Sequence, residues 1–372
     1  MRILVINAGS SSVKFSVFDM ASGEQCFKSE IERATSIEEA LKTIPAALSK
    51  AGQNTIDAIG HRVAHGGSLF RDATLINEAV ISDIEACVPL APLHNPPILA
   101  GIKMTLKAWP KIPQVAVFDT AFHQTIPEYA FTYAVPKQWR EAGLRRYGFH
   151  GTSHRYIMQR VAEELKTPGK DLRIISCHLG NGASICAVKN GISVDTSMGM
   201  TALEGLVMGT RSGDVDPGIF VYLNHKLGLS VQEIENALYH DSGLAALSGS
   251  GNDMRDIEKK ASAGDKNAQL AIAVYAYRIK KYIGSYAAAM GGVDVIAFTG
   301  GIGENSSLVR QRVCDGFEFL GLHFDDDKNL QIKLVGYEAP QIQSIDSKVR
   351  VMVTQAREQW MIAKETATII TK

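Results

Sequence analysis

Apolar and polar positions alternate in a repeating order along the chain. Residues 3–6 (Ile-Leu-Val-Ile) form a short unbroken apolar run, which predicts a buried strand. A small-residue turn, Asn7-Ala8-Gly9-Ser10-Ser11-Ser12, follows. Residues 13–18 (Val-Lys-Phe-Ser-Val-Phe) then alternate, the pattern of a half-buried strand. The same order returns at 173–179, the turn 180–183 and the return strand 184–188, which the Asn190-Gly191 pair closes as a hairpin. Further strands are predicted at 56–63, 113–118 and 293–298.

Residues 36–51 predict one helix, with Ser36 and Glu39 in capping-box spacing. Residues 266–290 predict a long helix ended by Gly291-Gly292. It carries two apolar sets at helical spacing: Leu270, Val274, Tyr277 and Ile272, Ile279, Ile283. Alternating strands and helices around a twofold repeat predict an α/β fold with a mixed sheet in each half. The 372 residues suffice for about two domains, and 45% hydrophobic composition supports a sizeable core.

Lys+Arg and Asp+Glu both number 39. That balance argues against a protein built to coat nucleic acid or an anionic membrane. No apolar run approaches the roughly 18 residues of a membrane span. Five cysteines with no CxxC pair argue against a disulfide scaffold or cysteine-based zinc site. The chain enters a strand at residue 3 without a signal-peptide layout, so a cytoplasmic protein is expected.

Three glycine-rich turns each follow a strand: 7–12, 180–183 and 300–305. Glycine lets a backbone approach a phosphate and turn its N–H groups toward it. The partial Gly301-x-Gly303 fingerprint has Ser306 at its third position and lies too near the chain's end for a dinucleotide domain. No GxxxxGK[ST] motif occurs. Strand–loop–strand in both halves with a late glycine turn is the layout of the actin, sugar-kinase and Hsp70 superfamily. Two similar domains there clamp ATP.

The remaining motifs are dense. They are Gly60-His61-Arg62-Val63-Ala64-His65-Gly66-Gly67, Ala91-Pro92-Leu93-His94-Asn95-Pro96-Pro97 and Phe118-Asp119-Thr120-Ala121-Phe122-His123. Tyr147-Gly148-Phe149-His150-Gly151-Thr152-Ser153-His154, Asp195-Thr196-Ser197-Met198-Gly199 and Gly209-Thr210-Arg211-Ser212-Gly213-Asp214 follow. From Asn7 to about Ala363 the chain resembles the acetate and propionate kinase family. The histidine pairs His61/His65 and His150/His154 have i,i+4 spacing but lack the glutamate of a helical zinc motif. Met198, Met200 and Met208 read as core filling.

The resemblance implies a duplicated actin-like, ribonuclease H-like fold. Residues 1–122 with 360–372 would form the N-terminal domain and 123–359 the C-terminal one. It implies a homodimer and Mg²⁺-dependent transfer of phosphoryl from ATP to acetate, giving ADP and acetyl phosphate. Mn²⁺ is the alternative ion, and no nucleic acid or membrane partner is implied. Asp119, His150 and Arg211 would be catalytic. Arg62, Ala64, Leu93, Phe149 and Ala202 would bind the acyl substrate. Lys14, His178, Leu179, Gly180, Asn181 and Gly182 would hold ATP phosphates. Asp253, Met254, Arg255, Gly301, Ile302, Gly303, Glu304 and Asn305 would hold the nucleoside. Asn7 and Glu358 would hold the metal.

The chemistry agrees. A carboxylate acceptor is already ionised at neutral pH and needs cations more than a strong base. Arginine forks such as Arg62 and Arg211 suit both carboxylate and phosphate. Three features depart from the family pattern. Gln359 replaces one of two late glutamates, the stretch before Gly60 is short, and Ala64 and Ala202 stand where valine and proline are usual. The extra room predicts use of propionate as well. Propionate kinase as the main activity, a non-enzymatic ATP switch and a sugar kinase are the alternatives.

Overall fold

The first strand pair of this computed structural model forms as the alternation predicts, with β1 (Arg2–Ala8) antiparallel to β2 (Ser12–Asp19). The structure describes residues 1–9, 12–32, 37–53, 55–336 and 338–372. Ser10, Ser11 and the proposed cap Ser36 lie outside the described residues. A third strand, β3 (Glu24–Glu32), extends the pair, and β4 (Ala58–Val63), β5 (Thr74–Leu75) and β6 (Gln114–Phe118) complete the sheet. Among the described residues its order is β3-β2-β1-β4-β6-β5, with β1, β4 and β6 parallel.

A second sheet contains β7 (Arg173–Leu179), β8 (Ala183–Lys189), β9 (Ile192–Thr196), β10 (Val295–Thr299) and β11 (Arg350–Val353). Its order is β11-β10-β7-β8-β9, with β7, β10 and β11 parallel. Each sheet therefore has an antiparallel three-strand meander followed by parallel strands. This is the duplicated actin-like, ribonuclease H-like topology. The Asn190-Gly191 turn joins β8 to β9 with both residues at positive φ, 58° and 77°, as a type I′ hairpin requires.

The chain divides into two compact units. One comprises Met1–Gln124, Phe149–Tyr156 and Arg357–Lys372; the other comprises Thr125–Gly148 and Ile157–Ala356. In the first unit, β1 is apolar from Ile3 to Ile6 because both sides are covered there. Leu4 and Ile6 pack with Leu41, Ile44 and Leu48. Ile3 and Val5 pack with Ile362 and Ala363 of the helix Glu358–Ile370. That helix lies close over β4 because Gly60 has no Cβ; one added there would run into Thr366 Oγ1 and Ile362 Cγ2.

The expected helix 36–51 is instead two short helices, Ile37–Lys42 and Ile44–Lys50. Pro45 lacks an N–H and fits only the opening of the second. In the second unit Ile272, Ile279 and Ile283 of the helix Lys266–Met290 are buried. The other apolar set faces outward, with Leu270 53% and Tyr277 64% exposed. The expected loop 300–305 is instead a short helix, Gly300–Asn305, that starts where β10 ends.

Candidate active site

In the first unit, the carboxyl ends of three parallel strands bring the motifs together. Asn7 lies near the end of β1, Arg62 near the end of β4, and Asp119 just after β6. Ligands in open α/β sheets characteristically bind at these ends. Arg62 Nε donates to Asp119 Oδ2 at 3.0 Å, and Nη2 to the same oxygen at 2.5 Å. Arg62 Nη1 reaches Asn7 Oδ1 at 3.4 Å. The Asp119 carboxylate holds the guanidinium well above its ordinary pKa. Burial pushes the Asp119 carboxyl up, while Arg62 opposes that shift. With one edge of its fork clamped, Arg62 keeps further N–H donors for an anion.

The helix Gly151–Glu164 begins against this pair. Gly151 N donates to Asp119 O at 2.9 Å, and a Cβ on Gly151 would collide with that oxygen. Thr152 Oγ1 lies 3.4 Å from Asp119 Oδ1. His150 precedes the helix at φ 56°, a left-handed conformation uncommon for a side-chain-bearing residue. Such strain concentrates at functional sites.

Glu358 opens the helix Glu358–Ile370, and its charge acts on both Arg62 and Asp119. The neighbouring Gln359 is occupied elsewhere, accepting from Ser16 Oγ of β2 at 2.6 Å. Asn7 and Glu358 offer the hard oxygen donors that suit Mg²⁺, which usually takes one or two protein oxygens beside substrate phosphates. Among the described residues no group of three or more His, Cys, Asp and Glu side chains is arranged to hold a metal ion.

Other expected residues of this unit are more dispersed. Lys14 pairs across strands with Glu30 at 3.0 Å. Leu93 is 59% exposed. Ala64 is buried among Val63, Ile98 and Phe118. Phe149 is buried with its ring edge-on to His65, 5.5 Å between centroids. His61 and His65 are buried, and burial lowers each pKa to about 4. Neutral His61 donates from Nε2 to Gln114 Oε1 at 2.8 Å. His65 Nδ1 accepts from Gly67 N at 2.9 Å.

Sequence reading missed the role of Asn95. Its Nδ2 donates to His65 O at 2.9 Å and its Oδ1 accepts from His65 N at 3.2 Å, tying down the loop after Arg62. Its place in a proline-bounded turn was the available signal. Thr152 likewise has no signal of its own in the sequence beyond its place in the motif 147–154.

The second unit repeats the layout. Gly180-Asn181-Gly182 follows β7, which ends at His178 and Leu179, and Gly180 N donates to Gly182 O at 3.1 Å. Asn181 O accepts from Gly209 N at 2.9 Å, and its Oδ1 from Asn252 Nδ2 at 2.8 Å. Gly301 is exposed and Ile302 and Gly303 are buried in the helix after β10. Glu304 Oε1 accepts from Gly300 N at 3.0 Å and Ala356 N at 2.7 Å, so its side chain braces the turn. Asn305 Nδ2 donates to Gly301 O at 2.9 Å.

Asp253 caps the helix Met254–Ser262 and pairs with Arg255 at 2.5 Å, while Met254 is buried. Arg211 Nη1 donates to Ala202 O at 3.0 Å. Arg211 is half-buried with no carboxylate in ion-pair range among the described residues. Burial lowers its pKa, yet an arginine stays charged at neutral pH.

Two units of one actin-like topology, with glycine turns at strand ends and an arginine clamped by a buried aspartate, define the class: an α/β phosphotransferase of the actin-like superfamily. The model of the Acetokinase family matches residues 31–364, and the chain belongs to that family. It is 48% identical over 400 aligned positions to the acetate kinase of Thermoanaerobacterium thermosaccharolyticum, covering 100% of this chain and 99% of that protein. The crystal structure of Porphyromonas gingivalis acetate kinase superposes with a TM-score of 0.94 at 43% identity, covering 99% of each chain. That of a Francisella tularensis propionate kinase gives 0.91 at 40%, with the same coverage.

Proposed function

We propose that this chain is an acetate kinase, transferring the γ-phosphoryl group of ATP to acetate and the reverse. The observation that carries this reading is Arg62, held by Asp119 with donors to spare. Arg62 would take the acyl carboxylate. A carboxylate oxygen forms the new bond to the γ-phosphorus as the bridging P–O bond to ADP breaks. No proton has to be removed, so Asp119 serves to aim Arg62 rather than as a base. Arg211 stabilises charge on the phosphoryl group in flight, where such preorganised contacts count most. His150 adds a hydrogen bond there. The turns 180–182 and 301–305 hold the nucleotide, with Asp253 and Arg255 at the nucleoside. Asn7 and Glu358 would hold Mg²⁺, or Mn²⁺ in its place, which supplies charge neutralisation on the phosphate oxygens.

The test is ATP and Mg²⁺ with a panel of short carboxylates, trapping acyl phosphate with hydroxylamine. Acetate should yield acetohydroxamate and equivalent ADP. ATP turnover without hydroxamate would favour the switch, and stimulation by hexoses the sugar kinase.

Ala64 favours a second substrate. Alanine in place of the family's usual valine leaves room for about one methylene, worth about 0.8 kcal/mol if buried. Propionate should fall within roughly tenfold of acetate in kcat/KM. Ala64→Val should penalise propionate more than acetate; equal effects would refute the pocket argument.

The helix Gly218–Leu227 has no buried residue, and its Val221, Tyr222 and Leu227 are each more than 60% exposed. We infer that this exposed helix lies in the interface between two copies in a homodimer. A cytoplasmic location accords with ATP as substrate and with five cysteines that form no disulfide. Among the described residues no helix is long and apolar enough to cross a membrane.

A further inference from the structure

Two helices begin at the candidate site of the first unit. Gly151–Glu164 starts against Asp119 with Thr152, and Glu358–Ile370 starts with Glu358. An ion pair joins them farther along. Arg155 Nη1 donates to Glu365 Oε1 at 2.6 Å. The pair is sheltered, with side chains 22% and 11% exposed. Arg155 also lies over the Phe122 ring at 5.5 Å and reaches Asp72 Oδ1 at 3.8 Å.

The spacing gives the bond its leverage. Glu365 is seven residues from Glu358, two helical turns along the same face. Arg155 is three residues from Thr152, again on one face. A bond between Arg155 and Glu365 therefore locks the rotation of one helix to that of the other, on top of the apolar packing of each. Rotation decides where Glu358 points and where Thr152 meets Asp119. The packing of Ile362, Ala363 and Thr366 against the sheet sets which face of the second helix is buried, and the polar pair ties that helix to the one that carries Thr152.

We propose that Arg155 and Glu365 are positioning residues that aim Glu358 at the divalent cation. The proposal rests on the acetate kinase reading and goes beyond it to residues that touch neither substrate nor metal. Partners that orient metal ligands typically matter by 10–100-fold in affinity or activity.

The test is Mn²⁺ binding to the full chain with ADP, read from the free-Mn²⁺ paramagnetic resonance signal. Glu365→Gln and Arg155→Met should each weaken Mn²⁺ binding by about tenfold. Binding of ADP without metal should stay within twofold, and so should the KM for acetate. The exchange Arg155→Glu with Glu365→Arg should recover most of the loss. Arg155→Lys keeps the charge but loses the fork, and should fall between; it remains informative if Arg155→Met does not fold. Unchanged Mn²⁺ affinity in the single variants, or an exchanged pair no better than either alone, would overturn the proposal. Equal weakening of Mn²⁺, ADP and acetate would overturn it too, marking a general structural role. If wild-type protein forms no acyl phosphate, the failure lies in the functional reading instead.

Discussion

Arg62 and Arg211 are both arginines among glycines in the sequence, yet the structure treats them differently. Arg62 is clamped by Asp119, whereas Arg211 is anchored through the carbonyl of Ala202. They should fail differently. Arg211→Ala should lower kcat by about 10²–10³, the usual loss for one preorganised electrostatic contact, with a smaller effect on KM. Arg62→Ala should raise the KM for acetate as well as lower kcat. Steady-state kinetics at saturating ATP separate the two, and wild-type turnover in both would refute the assignment.

The buried histidines make a pH prediction. His61 and His65 have folded pKa values of about 4 against an unfolded value near 6.5. Below 6.5 the unfolded chain binds protons that the folded chain refuses. Their stability contribution is therefore whole above pH 6.5 and erodes as pH falls toward 4. At pH 5 the loss is about 2 kcal/mol for each histidine. Urea unfolding at pH 7 and pH 5 should show it, and His61→Gln should remove about half of the difference. An unchanged difference in that variant would count against a neutral, buried His61.

Gly60 lets the helix Glu358–Ile370 approach β4. Gly60→Ala should destabilise the protein by about 1–3 kcal/mol through overpacking. Thr366→Ala in the same chain should recover part of that, because Thr366 Oγ1 is the atom in the way and otherwise bonds only within its own helix. Denaturant midpoints of the two variants decide this.

The sequence is most legible for elements with both a period and a punctuation mark. The hairpin at Asn190-Gly191 and the stop at Gly291 are examples. It is less legible where local signals conflict. Pro45 divides one apolar helical pattern into two helices. In β3, Lys28 and Glu30 alternate with the inward Phe27 and Ile31, but Ser29 at the inward position between them breaks the apolar pattern. The helix Lys266–Met290 offered two apolar stripes, and periodicity alone could not say which one faces the core. The Arg155–Glu365 bond spans 210 residues, so no local pattern announces it.

For the molecule as a whole, the exposed apolar residues of Gly218–Leu227 make a prediction about assembly. The wild-type protein should have twice the chain mass by light scattering. Tyr222→Glu should shift it to the monomer, since a charge at the centre of an apolar interface is costly. A monomeric wild type would refute the dimer.

The duplicated topology was readable because each half repeats strand, glycine turn and strand. What each half's site residues do was readable only as far as their motifs extend, since Asn95, Thr152 and Asn252 act through bonds to distant segments. The central claim is that an acetate oxygen attacks the γ-phosphorus of ATP. The most direct measurement is phosphorus NMR of the reaction of ATP, Mg²⁺ and ¹⁸O-labelled acetate. The account predicts an acetyl phosphate resonance with the isotope shift of one ¹⁸O bound to phosphorus, and ADP without label. Inorganic phosphate as the only phosphorus product beside ADP, or acetyl phosphate without the isotope shift, would contradict it.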